Sequence, residues 1–255
     1  PRAFNDPSLT FDSNVISTFS VLEASRRSNN VEKICIVTSD KVYKNENKNK
    51  RFTEEDVLSG KDIYSTSKVI CEHLVECYRN IHFNKSKIVE VVRLGNVVGG
   101  GDYSVNRLLP DLVRAYLNKN TFEVRYPQAT RPFQHVIDVV NGIYSILMNN
   151  RKHEEEDYLG ECWNLGPKNN TVMIVGDVIN LFTKVFHLED IQPRKNSLPE
   201  DILLAVDNTK YKEVFGNPKY NSEMAIKKAI EWYKKVHQDK ISPWDLTLKE
   251  VNSFF

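Results

Sequence analysis

Glycine is scarce in the first part of the chain, because all ten glycines of the 255 residues lie at or after Gly60. A turn that brings backbone N–H groups close to a pyrophosphate needs glycines at fixed positions between a strand and a helix. The residues before Gly60 therefore offer no glycine-rich phosphate-binding turn. The run GGGD, Gly99 to Asp102, follows a later predicted strand and has the wrong spacing for one.

The sequence also lacks a charge excess, paired cysteines and long apolar runs. Lys and Arg (35) nearly balance Asp and Glu (34), which argues against a protein that binds nucleic acid through a basic face. The four cysteines form no C-x-x-C and have no histidine at metal-ligand spacing, so we expect no metal site and a reducing, cytoplasmic setting. No apolar run approaches the roughly 18 residues of a membrane span, so we expect no membrane partner.

The sequence does contain an alternation of helical and strand-like segments. Apolar residues recur at helical spacing between Leu9 and Arg27 and again between Tyr64 and Arg79. The segments KICIV (33–37) and KIVEVVRLG (87–95) are short, continuous and rich in β-branched residues. This pattern is typical of strands that are buried on both faces in a parallel sheet. The order strand, helix, strand predicts a doubly wound, Rossmann-like α/β domain.

The later part of the chain is less regular, with amphipathic helices separated by Pro and Gly. We predict that residues 1–100 belong to the α/β domain and that segments around 130–167 return to it. Residues 101–255 are predicted to form mainly a smaller, mixed lobe. Helices are expected from about 106 to 117, from about 137, over 171–186 and over 222–238, and a short strand is expected near 161–167.

Two predicted strands end in polar side chains, at the sheet edge where open α/β sheets bind ligands. The first strand leads into Ser39, Asp40 and Lys41, and the second leads into Asn96. On the strand end alone, a capped turn is the better explanation of Ser39 and Asp40.

The motif YSTSK places Tyr64 and Lys68 four residues apart, so both side chains emerge from one face of a helix. Tyrosine, with a reference pKa of about 10, is a poor base at neutral pH, but an adjacent ammonium stabilises the phenolate. Such a pair suits the removal of a proton from a sugar or steroid hydroxyl while hydride leaves the same carbon. The spacing is weakly specific alone and more specific beside a strand that ends in Ser-Asp-Lys.

Six segments together resemble the extended short-chain dehydrogenase/reductases. They are DSNVISTFSVLEASRR (12–27), TSDKVY (38–43), YSTSK (64–68), VVRLGNVVGGGD (91–102), NRLLPDLVRA (106–115) and RPFQHVIDV (131–139). Among these enzymes, SDK combined with GNVVGGGD and RPFQHV is similar to the CDP-glucose 4,6-dehydratases. The resemblance implies NAD as cofactor, bound mainly by 1–100, and CDP-glucose as the nucleotide-sugar substrate, bound mainly by 101–255. It also implies a homodimer formed by the helices near 9–27 and 64–79.

The resemblance implies a reaction in three steps on the glucose. Hydride leaves C4, water is eliminated across C5 and C6, and hydride returns to C6 to give a 4-keto-6-deoxy sugar. Tyr64 would be the base at the C4 hydroxyl, Lys68 would stabilise its phenolate and hold the nicotinamide ribose, and Ser39 would hydrogen-bond the C4 oxygen. Asp40 would protonate the departing C6 hydroxyl, which requires a buried carboxyl that keeps its proton near neutral pH. An exposed Asp40 would exclude that role.

Lys41 stands where the related dTDP-glucose and GDP-mannose enzymes usually have glutamate. Two roles remain open: it removes the C5 proton if its surroundings leave it neutral, or it stabilises the developing enolate as a cation. The resemblance assigns further residues to binding. They are Ser13 near the cofactor, and Asn96, Arg107, Arg131 and, as a weaker candidate, Asn164 at the substrate. A surface charge is the alternative interpretation of each arginine, and His135 is expected to be structural.

The G-x-x-G-x-x-G turn of the family has no counterpart in this chain. We therefore expect an N-terminally incomplete Rossmann domain that lacks about ninety residues, either as a fragment or as a natural truncation. Two alternatives to the dehydratase stay open. One is an NDP-sugar epimerase, which shares the Tyr-Lys chemistry, and the other is a non-catalytic, truncated module for sugar-nucleotide binding or dimerisation.

The 255-residue chain alone is expected to bind NAD weakly or not at all, because it offers the pyrophosphate no glycine-rich turn. Isothermal titration calorimetry of the purified chain with NAD measures this directly. Tight NAD binding by this chain would contradict the expectation.

Overall fold

The computed structural model describes residues 2–46, 50–83, 86–149, 158–194 and 204–255. The helices are α1 (Arg2–Asn5), α2 (Pro7–Phe11), α3 (Ser17–Arg27), α4 (Ile63–Cys77), α5 (Leu108–Asn118), α6 (Val136–Met148), α7 (Val175–Phe186), α8 (Thr209–Phe215), α9 (Ser222–His237) and α10 (Pro243–Phe254). The strands are β1 (Lys33–Ser39), β2 (Ile88–Leu94), β3 (Asn96–Val98), β4 (Phe122–Val124), β5 (Thr130–Arg131), β6 (Phe133–His135), β7 (Cys162–Leu165), β8 (Met173–Ile174) and β9 (Ile191–Pro193). No helix within these ranges is long and apolar enough to cross a membrane.

The chain divides into two compact units. Unit 1 comprises Pro1–Gly95, Asn141–Leu165 and Val206–Gly216, and unit 2 comprises Asn96–Val140, Gly166–Ala205 and Asn217–Phe255. The assignment of cofactor binding to 1–100 and of substrate binding to 101–255 remains a prediction.

A parallel sheet in the order β1-β2-β7 forms the centre of unit 1. Leu22 of α3 and Val75 of α4 pack with Ile34 and Ile36 against one face. On the other face, Ile146 of α6 and residues of α8 pack around Trp163. Helices thus cover both faces of a parallel sheet, which confirms the predicted doubly wound architecture.

Strand β1 departs from the prediction of a strand buried on both faces. Six of the seven residues of β2 are buried, whereas Val37 of β1 is 40% exposed. Within the described ranges, β1 pairs with β2 on one side only, so its side chains have fewer neighbours than those of the central strand. The continuous apolar pattern was therefore a correct sign of a strand and a wrong sign of full burial.

Unit 2 contains two parallel strand pairs, β3–β6 and β4–β9, and the antiparallel pair β5–β8. Its core joins apolar side chains of α5, α7 and α9, with Phe182 and Phe186 stacked at its centre. The GGGD run serves this packing, because a Cβ on Gly100 would lie 2.1 Å from the ring of Trp232. Met173–Ile174, predicted as the start of a helix, instead pairs with Thr130–Arg131 as β8.

His135 ends β6 and is buried in unit 2. Its ring packs edge-on against Tyr220, with 5.5 Å between ring centroids. Burial, with a smaller contribution from the Lys228 ammonium, lowers the pKa of His135 to about 4. Glu250 Oε1 lies 3.5 Å from His135 Nε2, and burial raises the pKa of Glu250. This environment agrees with a structural role.

His135 should make the protein less stable in acid. The unfolded chain binds a proton near the ordinary pKa of 6.5 and the folded chain only at about 4. The free energy of unfolding should therefore fall as the pH is lowered from about 6.5 to about 4, by about 3 kcal/mol in total. Urea unfolding across this range measures the slope. The slope should decrease in His135→Gln, and an unchanged slope in that variant would contradict the assignment.

Candidate active site

The carboxyl end of β1 carries the predicted Ser39-Asp40-Lys41 segment. Ser39 is the last residue of the strand, and a single 3-10 turn, Asp40–Val42, follows. The Ser39 hydroxyl donates to Asp40 Oδ1 at 3.1 Å and accepts from the backbone N–H of Lys41 at 3.2 Å. Ser39 thus caps the turn and also contacts the Asp40 carboxyl, so the two interpretations of this segment are compatible.

Asp40 and its neighbour Lys41 differ in burial. Asp40 is 3% exposed, which is the environment that the role of general acid needs. Lys41 is only partly buried. The two possible roles of Lys41, as base or as fixed cation, both stay open.

Helix α4 carries both Tyr64 and Lys68. Asp62 and Ser65 form a capping box, which explains why the helix begins immediately before Tyr64. Gly60 makes this start possible, since a Cβ at that position would lie 2.3 Å from the backbone of Thr66. Helix α4 packs against β1 and against the Asp40–Val42 turn.

Lys68 contacts the strand that carries Ser39 and Asp40. Its Nζ donates to the carbonyl oxygen of Val37 at 3.1 Å. Burial lowers the pKa of Lys68 from its usual value. The structure therefore brings the lysine of the Y-x-x-x-K motif to the C-terminal part of β1.

A buried ion pair that the sequence analysis did not identify lies next to these groups. Arg93 of β2 donates to both carboxylate oxygens of Glu72 on α4, with Nε–O distances of 3.0 Å. The hydroxyl of Thr38 donates to Glu72 Oε1 at 2.7 Å. Glu72 follows Lys68 by four residues, and this helical spacing was the only signal in the sequence that could have pointed to it.

The N-terminal helical segment contacts α4 through Asn14 rather than Ser13. Ser13 is exposed and donates to the carbonyl oxygen of Thr10 at 3.2 Å. Asn14 Nδ2 donates to Ser67 Oγ at 2.9 Å, between Tyr64 and Lys68 in sequence. The two residues lie in a π-helical turn, Asp12–Ile16, which a helical period of apolar residues does not reveal.

Asn164 does not fit the expected contact with substrate. It is 0% exposed, and its Oδ1 accepts from the Tyr43 hydroxyl at 2.6 Å. Its Nδ2 donates to the carbonyl oxygens of Phe52 and Asp207, at 2.9 and 3.1 Å. These bonds tie β7 to two loops, so we interpret Asn164 as structural and leave it out of the proposed substrate site.

The other predicted substrate residues belong to unit 2. Asn96 begins β3 and is partly buried. Arg107 precedes α5, with a side chain that is 60% exposed and an Nε 3.9 Å from Asp102 Oδ2. Arg131 is 4% exposed, and its Nη1 donates to the carbonyl oxygen of Thr130 at 2.8 Å. The interpretation as a surface charge is therefore wrong for Arg131 and stays open for Arg107.

Comparison with known proteins shows the family of the chain. The NAD dependent epimerase/dehydratase family matches residues 1–166. The chain belongs to this family. The membership confirms the resemblance found in the sequence motifs.

Individual relatives in this family include dehydratases and epimerases. The CDP-glucose 4,6-dehydratase of Salmonella typhimurium is 28% identical over 91% of this chain and 67% of that protein. A dTDP-glucose 4,6-dehydratase of Xanthomonas campestris is 24% identical over 91% of this chain and 68% of that protein.

Solved structures share the fold. The dTDP-glucose 4,6-dehydratase of Bacillus anthracis, in complex with NAD, is 25% identical, with a TM-score of 0.75 over 89% of this chain and 69% of that chain. A UDP-glucose 4-epimerase of Thermus thermophilus, in complex with NAD, has a TM-score of 0.79 at 18% identity, over 91% of this chain and 73% of that chain. At that identity the second likeness shows the fold alone.

Proposed function

We propose that the chain is an NAD-dependent nucleotide-sugar 4,6-dehydratase that converts CDP-glucose to CDP-4-keto-6-deoxyglucose. The observation that carries this proposal is the buried carboxyl of Asp40, bonded to Ser39 at the end of the strand that Lys68 contacts. Elimination of water from C6 needs an acid at the leaving hydroxyl, whereas epimerisation at C4 does not. The four cysteines are free thiols, which supports the reducing, cytoplasmic setting proposed for the enzyme.

Tyr64 and Lys68 are proposed to remove the proton from the C4 hydroxyl. Tyrosine can act as a base near neutral pH only when a nearby cation stabilises its phenolate form. The ammonium of Lys68 suits this task because burial, which lowers the pKa of Lys68, also reduces the screening of its charge by water. Ser39 is proposed to hydrogen-bond the C4 oxygen.

Asp40 and Lys41 are proposed to act in the elimination of water. Asp40 donates a proton to the departing C6 hydroxyl, and its bond from Ser39 orients the carboxyl. Lys41 follows directly on the same turn. It either removes the C5 proton as a neutral amine or stabilises the enolate as a cation.

The residues of unit 1 fit one part of an NAD site. The phenol of Tyr64 and the ammonium of Lys68 are suitable donors for the nicotinamide ribose, and Ser13 is proposed to lie near the cofactor. When bound, NAD would take up hydride from C4 and return it to C6. The pyrophosphate would need a glycine-rich turn, whereas Gly60 instead allows close packing on Thr66.

CDP-glucose is proposed as the substrate because of the relative in Salmonella typhimurium that carries that description. Asn96 is proposed to contact the sugar. Arg107 and Arg131 are proposed to bind the pyrophosphate, since a guanidinium fork matches phosphate oxygens. The exposed side chain of Arg107 is available for this contact.

The protein is expected to form a 4-keto sugar from CDP-glucose when NAD is supplied in large excess to compensate for weak binding. The product is measured by its absorbance in alkali. Asp40→Asn should lower kcat by about a hundredfold or more, because the general acid is lost. Asp239→Asn is the matched control, since Asp239 is an exposed carboxylate of unit 2.

Three results would contradict the proposal. An epimerised sugar without a 4-keto product would indicate the NDP-sugar epimerase. Full 4-keto formation by Asp40→Asn would contradict the role of Asp40 as the acid on which the proposal rests. Binding of CDP-glucose without any turnover would indicate the non-catalytic module.

A homodimer through the helices of unit 1 is also proposed. Leu9, Ile16, Phe19 and Val21 are large apolar residues that remain exposed on α2, α3 and the turn between them. Ile81, at the end of the π-helical turn after α4, is exposed as well. Single exposed apolar residues are ordinary, but several on adjacent helical turns indicate an interaction surface.

Ile16→Asp is expected to shift the protein from dimer to monomer, because it places a carboxylate in this apolar surface. Sedimentation velocity at micromolar concentration measures the change. Val57→Asp, at an exposed apolar residue outside these helices, should remain dimeric. A wild-type protein that is monomeric would contradict the proposal, and so would an Ile16→Asp variant that stays dimeric.

A further inference from the structure

Unit 1 contains a buried polar network formed by Thr38, Glu72 and Arg93. All three residues are buried. Arg93 donates to Glu72 through Nε and through Nη2, the latter at 2.5 Å, and Thr38 donates to the same carboxylate at 2.7 Å. The carboxylate of Glu72 therefore accepts hydrogen bonds from two neighbouring strands, from Thr38 of β1 and from Arg93 of β2.

The network joins the two elements that carry the candidate catalytic groups. Thr38 directly precedes Ser39 on β1, and Glu72 follows Lys68 by one helical turn on α4. Thr38 and Arg93 lie opposite each other in the register of β1 and β2. One carboxylate thus fixes the position of the helix relative to both strands.

Stability alone is a weak explanation for this arrangement. Desolvation of two charges offsets much of their attraction, and a buried ion pair contributes little more than apolar residues of the same size would. Its geometric effect is stronger, because any shift of α4 along β1 would leave a buried charge without its partner.

Arg93 also bonds to residues outside the network. Arg93 Nη1 donates to the Tyr43 hydroxyl at 2.9 Å and to the carbonyl oxygen of Glu54 at 3.0 Å. These two bonds hold the guanidinium in position independently of its bonds to Glu72. Glu72 can satisfy Arg93 and Thr38 together only over a narrow range of helix positions.

We propose that Glu72 is a positioning residue which, with Thr38 and Arg93, fixes α4 against β1 so that Lys68 stays at the carbonyl of Val37, beside Ser39 and Asp40. This inference rests on the proposed function only for the roles of those catalytic groups. The environment of Lys68 can be measured through its titration, without NAD or substrate. A failure to turn over CDP-glucose would therefore reject the function and leave this test intact.

Thr38→Val and Glu72→Gln test the proposal in the full chain. Thr38→Val removes one hydroxyl at nearly constant shape and keeps the ion pair, so it carries the test if Glu72→Gln does not fold. The first measurement is the titration of Lys68 by NMR of lysine labelled with ¹³C at Cε, with Lys68→Arg for assignment. The second is hydrogen exchange of the backbone amides of 37–41.

In the wild-type protein Lys68 should titrate below the exposed lysines, because burial lowers its pKa. In both variants the titration of Lys68 should move towards that of the exposed lysines. Hydrogen exchange of the backbone amides of 37–41 should become about tenfold faster. Both effects are expected because a helix that is no longer fixed against β1 lets water reach the Lys68 ammonium and these amides.

Glu90→Gln is the matched control, because Glu90 is an equally buried carboxylate of β2 that bonds to Tyr158 and Trp163 instead. This change should lower the Tm while leaving Lys68 and the exchange of 37–41 as in the wild type. If Thr38→Val and Glu72→Gln also lower only the Tm, the network is merely structural and the proposal is overturned.

Discussion

The guanidinium of Arg93 and the carboxylate of Glu72 lie in the interior of unit 1, where an ion without hydrogen-bond partners would be strongly unfavourable. Both ions are satisfied by groups from several elements. Thr38 of β1 bonds to the carboxylate, and Tyr43 and the backbone of Glu54 bond to the guanidinium. These requirements can be met together only when β1, β2 and α4 have the register that the structure shows.

The same requirement accounts for the environment of Asn164. Its side chain accepts from the Tyr43 hydroxyl, which in turn accepts from Arg93. The side chain of Asn164 on β7 thus helps to hold the sheet together. Ser39 and Asp40, at the end of β1, bond instead to each other and to the turn that follows. Polar residues near the ends of two strands, Ser39 of β1 and Asn164 of β7, therefore differ in what their side chains contact.

Periodicity predicted the elements whose apolar residues face one core. The segments 33–37, 64–79, 87–95 and 222–238 were all located to within a few residues. Helices α8 and α10 were not predicted, because α8 is short and α10 has a largely exposed surface. The start of α7 was misplaced because a contact with β5, distant in sequence, draws Met173–Ile174 into a strand. Local patterns do not contain that information.

The candidate site also contains both residues that local spacing predicts and residues that only tertiary contacts reveal. Tyr64 and Lys68 were predictable because their spacing alone places them on one helix face. The four-residue spacing from Lys68 points to Glu72, but its partnership with Arg93 depends on how α4 packs on β2, which the sequence does not specify. The position of Asn14 depends in the same way on the π-helical turn. Residues that act through tertiary contacts had to be found in the structure.

The proposed reaction eliminates water across C5 and C6 of a nucleotide-linked glucose. The most direct measurement uses CDP-glucose labelled with deuterium at C4, incubated with the protein and excess NAD, followed by NMR of the product. A dehydratase should give a 4-keto-6-deoxy sugar in which deuterium has moved to C6. Deuterium that remains at C4 of an epimerised sugar would contradict it.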